Sequence, residues 1–93
     1  MSGDEKRYVV IFQGRVQGVG FRATTVVLAE DLSVNGYVRN EPDGTVRLDA
    51  DGPADHLEKL LGRIRRRMAT HIFAVDVRTM QSDHRTGGLV IEH

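Results

Sequence analysis

The sequence contains no cysteine, no apolar run that approaches the roughly 20 residues of a membrane span, and no excess of either charge. Without cysteine there is no disulfide framework, no thiolate nucleophile and no zinc–thiolate site. Thirteen basic residues balance thirteen acidic ones, so the molecule as a whole has no field that would recruit nucleic acid or an anionic membrane. Any binding of an anion must therefore be local.

The length of 93 residues corresponds to one small domain with a single core. The first seven residues are polar and charged, without the apolar segment of a secretion signal. We therefore expect a soluble cytoplasmic protein that does not associate with membranes. We expect residues 1–6 to form a disordered N-terminal lead and residues 7–93 to form the domain.

Apolar periodicity predicts seven elements in the order β-α-β-β-α-β followed by a last strand. The predicted strands cover residues 8–12, 37–40, 45–50, 71–80 and 89–91, and the predicted helices cover residues 21–32 and 57–68. The turn Glu41-Pro42-Asp43-Gly44 joins the second and third strands as a hairpin. Two helices on one face of a mainly antiparallel sheet predict an α+β fold, the ferredoxin-like α/β sandwich with βαββαβ order.

The alternation of side chains also predicts which faces are buried. Along the third strand, Val46 and Leu48 alternate with Asp49 and Asp51, so we expect one face in the core and the other in water. The second helix carries an apolar stripe at helical spacing. We expect that stripe, Leu57, Leu60, Leu61 and Ile64, to meet Val46, Leu48, Phe73 and Val75.

The segment Gly14 to Arg22, Gly-Arg-Val-Gln-Gly-Val-Gly-Phe-Arg, lies between the first strand and the first helix. Its glycines permit positive φ and bring several N–H groups together, and the helix start adds unpaired donors, an arrangement that suits phosphate. A cation in the first turn opposes the helix dipole, and a bound anion would remove that conflict. The candidate phosphate-binding residues are Arg15, Val16, Gln17, Gly18, Val19, Gly20 and Phe21, with Arg22 at the edge. On their own, the glycines could equally make a tight connection.

Together with Gly36-Tyr37-Val38-Arg39-Asn40 and Asp43-Gly44-Thr45-Val46, the loop resembles the acylphosphatase family over nearly the whole chain. The resemblance implies hydrolysis of the carboxyl-phosphate bond of small acyl phosphates, with inorganic phosphate or sulfate as product-like ligands. It implies that the two catalytic residues are Arg22, which holds the phosphoryl group, and Asn40, which orients the attacking water. It implies no metal and no cofactor, and we expect a monomer.

Some positions depart from the family pattern. Tyr37 stands where the family usually has tryptophan, and the end of the chain lacks the usual Gly-Phe and terminal Arg-Tyr. Glu41 places a carboxylate beside Asn40, and we expect it to point to solvent. The four histidines, at positions 56, 71, 84 and 93, have no metal-ligand spacing.

Other functions remain as alternatives. A non-catalytic ferredoxin-like module could bind an anion or a partner through the same scaffold, and such a domain also occurs as an accessory unit of larger carbamoyl-transfer proteins. An RNA-binding module shares the element order, but Arg47, Asp49 and Asp51 occupy the strand where such modules carry aromatic residues. The arginines at 63 and 65–67 complement the C-terminus of a helix more simply than they form a nucleic-acid patch.

Overall fold

The computed structural model describes residues 4–93 of the chain. The five strands are β1 (Glu5–Gly14), β2 (Asn35–Asn40), β3 (Val46–Pro53), β4 (Ile72–Gln81) and β5 (Leu89–Glu92). The two helices are α1 (Phe21–Leu28) and α2 (Ala54–Arg67). The strands form one sheet in the order β4-β1-β3-β2-β5, and the two helices pack on one face of it. The predicted α+β sandwich is confirmed.

The direction of β5 is a detail that the sequence did not indicate. β1, β3, β2 and β4 pair antiparallel, whereas β5 pairs parallel with β2, so the sheet is mixed. Because β4 and β5 lie at opposite edges, the segment 82–88 between them has to cross the sheet. After this crossing, β5 lies beside β2, the strand that ends at Asn40.

The predicted disorder of residues 1–6 needs correction at its C-terminal boundary. β1 begins at Glu5, opposite Pro53, and Lys6 lies opposite both Gly52 of β3 and Gln81 of β4. Backbone pairing orders these two residues although their side chains are polar. Residues 1–3 of the expected lead lie outside the described residues.

The core contains the apolar stripe of α2, as the sequence predicts. Leu57, Leu60, Leu61 and Ile64 are buried in one cluster with Val46 and Leu48 of β3 and with residues of β1. The expectation for Phe73 was wrong, because its side chain is 86% exposed. β4 is an edge strand, and α2 packs over β3 and β1, so position 73 lies beyond the layer of helices. Val75 is partly buried against the core.

The outer face of the sheet, opposite the helices, is not the wet surface that alternation predicts. Asp49 and Asp51 are each only 1% exposed, because the crossing segment 82–88 covers them and Arg85 of that segment bonds to both. Arg7 donates to Asp49 from Nε at 2.9 Å and from Nη2 at 2.8 Å, and Arg47 adds a longer bond at 3.3 Å. We call these five residues the outer ionic cluster. Alternation identifies a face but cannot show that a later loop covers it.

The outer ionic cluster controls the charge of its carboxylates. Burial alone would raise the pKa of Asp49, but hydrogen bonds from Arg7 and Arg85 outweigh it and hold that pKa well below its ordinary value. Burial is likewise outweighed by the bonds from Arg85 and from the 83 and 85 backbone, which lower the pKa of Asp51. Arginine therefore neutralises these carboxylates, so their charge alone would not repel RNA. The covered face still leaves these positions without a surface for stacked bases.

Within residues 4–93, neither helix is long and apolar enough to cross a bilayer. α1 ends at Leu28, earlier than its apolar spacing predicts, and residues 29–32 form turns instead.

Candidate active site

The glycine loop follows the end of β1, where Gly14 adopts a φ of 134°. A Cβ at this position would collide with the carbonyl oxygen of His71, so only glycine fits. Gly18 and Gly20 have φ values of 77° and 75°, in the left-handed region that favours glycine. Gly20 forms the N-cap of α1 without any side-chain cap, so the loop leads directly into the free N–H groups of the first turn.

The backbone N–H groups of residues 16–23 have no hydrogen-bond acceptor within residues 4–93. Arg15 donates to the carbonyl of His71 at 2.9 Å before this stretch, and Thr24 donates to the carbonyl of Gly20 at 2.9 Å after it. Val16 and Phe21 anchor the loop in the core, and they are only 1% and 2% exposed, respectively. The fold therefore fixes the ends of the loop and leaves its donors unused, the arrangement expected for a site that receives an anion.

A cavity of about 170 Å³ lies against this loop. It brings together Arg22 from α1 and Asn40 from the end of β2, as the sequence predicts. Its walls are formed by Val16, Gly18, Gly20, Phe21, Arg22, Ala23, Asn40, Ile91 and His93. Of the other candidates, Arg15 is exposed and Val19 and Gln17 do not line the cavity.

The guanidinium of Arg22 has only two distant partners, and neither is a carboxylate. Its Nη1 lies 3.4 Å from the carbonyl oxygen of Glu92 and 3.4 Å from Nδ1 of His93. Among the residues from 4 onward, no carboxylate forms a salt bridge with it, and the first turn of α1 carries no acidic residue. The Arg22 guanidinium and the eight unpaired amides beside it therefore have free donors for an external anion.

The carboxamide of Asn40 is half-buried and makes no hydrogen bond with any residue in the described part of the chain. An amide can both accept from water and donate to a phosphoryl oxygen without carrying charge. Its neighbour Glu41 does not point freely to solvent, which corrects the expectation. Glu41 is half-buried and accepts from Nε of Arg39 at 2.8 Å, and Arg39 also bonds Glu92 at 2.6 Å. Its negative charge is thereby paired beside the cavity.

The side chain of Gln17 faces the hairpin instead of the cavity. Its Nε2 donates to the carbonyl oxygens of Glu41 at 2.8 Å and Thr45 at 2.9 Å, the two ends of the β2–β3 turn. It links the glycine loop to the residue that follows Asn40.

Sequence reasoning missed the wall formed by Ile91 and His93. Both belong to the last part of the chain, and Ile91 lies opposite Val38 in the parallel pairing of β5 with β2. No local motif marks these positions, because their place depends on the crossing of segment 82–88. Within the described range, no group of three or more His, Cys, Asp or Glu residues is placed to hold a metal ion.

Comparison with known proteins places this geometry in a family. The family model described as Acylphosphatase matches residues 8–91. The chain belongs to the acylphosphatase family. The predicted family resemblance is thus confirmed.

Individual relatives agree with this assignment. An acylphosphatase from Salinibacter ruber is 57% identical over 60 residues, which cover 64% of this chain and 63% of that protein. An acylphosphatase from Methylococcus capsulatus is 43% identical over 76 residues, covering 81% of this chain and 83% of the relative. The crystal structure of an acylphosphatase from Bacillus subtilis superposes with a TM-score of 0.83 at 27% identity, covering 95% and 99% of the two chains. The chain thus spans less than two thirds of the first relative but nearly all of the solved structure.

Proposed function

We propose that this protein is an acylphosphatase that hydrolyses the carboxyl-phosphate bond of acyl phosphates to carboxylate and phosphate. The observation that carries the proposal is the cavity in which the unpaired loop amides, Arg22 and Asn40 meet. Family membership supports the same reading.

In this proposal the loop amides of residues 16–21 and the guanidinium of Arg22 hold the phosphoryl oxygens. Fixed donors aimed at developing charge stabilise the transition state without reorganisation. The carboxamide of Asn40 orients a water molecule in line with the bond to be broken. The water oxygen bonds to phosphorus, the bond from phosphorus to the acyl oxygen breaks, and the water proton passes to a phosphoryl oxygen. A carboxylate is a good leaving group, so the step needs neither a general acid nor a metal, and we propose that the protein uses no cofactor.

We further propose that the protein acts as a monomer in the cytoplasm and that phosphate or sulfate binds in the cavity as product-like ligands. The role of Arg15 as an additional phosphate contact stays a prediction, because its exposed side chain lies at the mouth of the loop and not in the cavity wall.

The direct test is hydrolysis of a chromogenic aroyl phosphate in the presence of a metal chelator, compared with an aryl phosphate monoester under the same conditions. We expect rapid turnover of the aroyl phosphate alone, inhibited competitively by inorganic phosphate. Phosphate binding without hydrolysis would instead support the non-catalytic anion-binding module. Equal turnover of both substrates would contradict the assignment to acyl phosphates.

A further inference from the structure

The two halves of the candidate site lie on separate elements, the glycine loop after β1 and the end of β2. One side chain of the loop reaches across. The two N–H groups of the Gln17 carboxamide match two acceptors, the carbonyl oxygens of Glu41 at 2.8 Å and Thr45 at 2.9 Å. Glu41 directly follows Asn40, so these bonds tie the loop to the backbone that carries the Asn40 side chain.

The hairpin turn does not need Gln17 in order to form. The N–H of Glu41 donates to the carbonyl of Thr45 at 2.9 Å, and the N–H of Gly44 donates to the carbonyl of Glu41 at 3.1 Å. Asp43 accepts from the N–H and the hydroxyl of Thr45 at 3.0 and 2.7 Å. Both carbonyls that Gln17 contacts therefore have another donor, and the added bonds fix where the turn lies relative to the loop.

The loop, in turn, has little else that locates it near Asn40. The N–H groups of residues 16–23 make no bond to other parts of the described chain, and Gly18 and Gly20 allow unusual backbone freedom. Between the buried anchors Val16 and Phe21, the Gln17 carboxamide makes the hydrogen bonds that join the loop to the hairpin. In-line attack is sensitive to such placement, because a displacement of about 1 Å can cost about 100-fold in rate.

We infer that Gln17 is a positioning residue, whose side chain holds Asn40 and its water in line with a phosphoryl group bound by the loop. The inference rests on the proposed hydrolysis of acyl phosphates. The Gln17 side chain touches neither the substrate nor the water, and it acts through the hairpin.

The test is a double-mutant cycle with Asn40, using aroyl phosphate hydrolysis and inhibition by inorganic phosphate as readouts. Gln17→Met keeps the length of the side chain but removes both donors. We expect kcat to fall about tenfold or more in the presence of Asn40, and less than about threefold in the Asn40→Ala background, where no oriented water remains to be misplaced. We expect the phosphate inhibition constant to change by less than about threefold, because the loop amides and Arg22 remain.

A second variant and a control sharpen the cycle. Gln17→Glu keeps the shape and faces two carbonyl oxygens with a carboxylate, so it should lose at least as much kcat as Gln17→Met. Gln13→Met makes the same substitution at an exposed glutamine of β1 whose side chain makes no hydrogen bond within residues 4–93, and it should leave kcat unchanged. Denaturant midpoints of all variants verify that they are folded.

The inference would be overturned by an unchanged kcat in Gln17→Met or by equal losses with and without Asn40. An unfolded Gln17→Met would overturn it as well, by showing that the bonds serve folding. A loss of phosphate inhibition in step with kcat would also overturn it, by placing the effect in the loop alone. Failure of the proposed function is distinguishable, because the wild-type protein itself would then bind phosphate without turning over aroyl phosphate.

Discussion

Arginine occurs in two contrasting settings in this protein. In the outer ionic cluster, Arg7 and Arg85 reach Asp49 at 2.6 to 2.9 Å, and Arg85 also reaches Asp51 at 2.6 Å. In the candidate site, Arg22 has only a carbonyl and an imidazole as partners, both at 3.4 Å. The two settings lie on different faces of the same sheet.

The difference shows where this fold can accept a ligand. A guanidinium whose carboxylate partner belongs to the chain has its donors occupied, and it contributes to the structure. Arg22 has no such partner among the described residues, and it stands beside loop amides that also lack acceptors. In the outer ionic cluster, carboxylates of the chain supply the negative charge and the hydrogen-bond acceptors. At Arg22, an external anion must supply both.

The largest expected effect is that of removing the unpaired arginine. We expect Arg22→Ala to lower kcat/KM for an aroyl phosphate by at least about 10³-fold, the lower end for an arginine that stabilises a transferring phosphoryl group. Inhibition by phosphate should weaken as well. Arg22→Lys should restore little, because an ammonium cannot reproduce the planar fork. Steady-state kinetics of the three proteins provide the measurement.

The control for Arg22 is Arg78→Ala, which removes a 75% exposed side chain at the far edge of the sheet, paired to Asp76 only at 3.7 Å. It should leave turnover unchanged. Phosphate inhibition that survived intact in Arg22→Ala would break the comparison, because the unpaired arginine would then not be the anion site.

Mutation of the outer ionic cluster, where the arginines are paired, should lower the free energy of unfolding. We expect Asp49→Asn to lower the free energy of unfolding by about 2–3 kcal/mol at neutral pH, because it removes the buried charge that pairs with three partly exposed guanidinium groups. Asp76→Asn, at a 65% exposed carboxylate, should change it by less than about 0.5 kcal/mol. Urea denaturation measures both. A loss at Asp49 no greater than at Asp76 would show that the cluster contributes nothing beyond surface pairing.

Asn40 should separate catalysis from binding within the unpaired setting. We expect Asn40→Ala to lower kcat by about 10²-fold, the scale of losing one positioned group, while inhibition by phosphate stays nearly intact. Asn40→Asp should be equally slow, because a carboxylate beside the phosphoryl group repels it. The measurement is kcat together with the phosphate inhibition constant. Near-full turnover in Asn40→Ala would require another residue to orient the water.

The sequence predicted the parts of the fold and site that depend on local patterns. The glycine loop, Arg22 and Asn40 carry their own signal, because loop conformation and helix start are encoded within a few residues. The apolar stripe of α2 is equally local, and its burial was predicted correctly.

The rest depends on contacts between distant segments. Asp49 was expected in water because the alternation of apolar and polar residues describes a single strand and not what covers it. Its burial follows from its contact with Arg85, 36 residues later. The exposure of Phe73 follows from the edge position of β4, and the wall formed by His93 follows from the parallel placement of β5. Glu92 contacts Arg39, 53 residues earlier, and no local pattern indicates that pair.

The smallest expected effect is the loss of stability at acid pH, which also arises in the outer ionic cluster. The pKa of Asp49 and that of Asp51 are lower in the folded protein than the ordinary carboxyl value of about 3.9. Between those values the unfolded chain binds protons that the folded chain does not, so the stabilisation is complete above about pH 5 and is lost as pH falls below about 4. Protonation of Asp49 should then cost on the order of 1 kcal/mol between pH 5 and pH 3, and Asp51 should contribute a loss in the same direction.

Urea denaturation at pH 7, 5, 4 and 3 measures this loss, with Asp49→Asn as its matched variant. The variant should start less stable at pH 7 and lose less between pH 5 and pH 3, because one of the two carboxyl groups no longer titrates. Parallel pH profiles for the two proteins would show that the acid sensitivity arises elsewhere, in exposed pairs such as Asp31 with Arg63, where hydrogen bonding also lowers the pKa of the aspartate. Profiles that converge as the pH falls would show that the acid sensitivity arises in the outer ionic cluster.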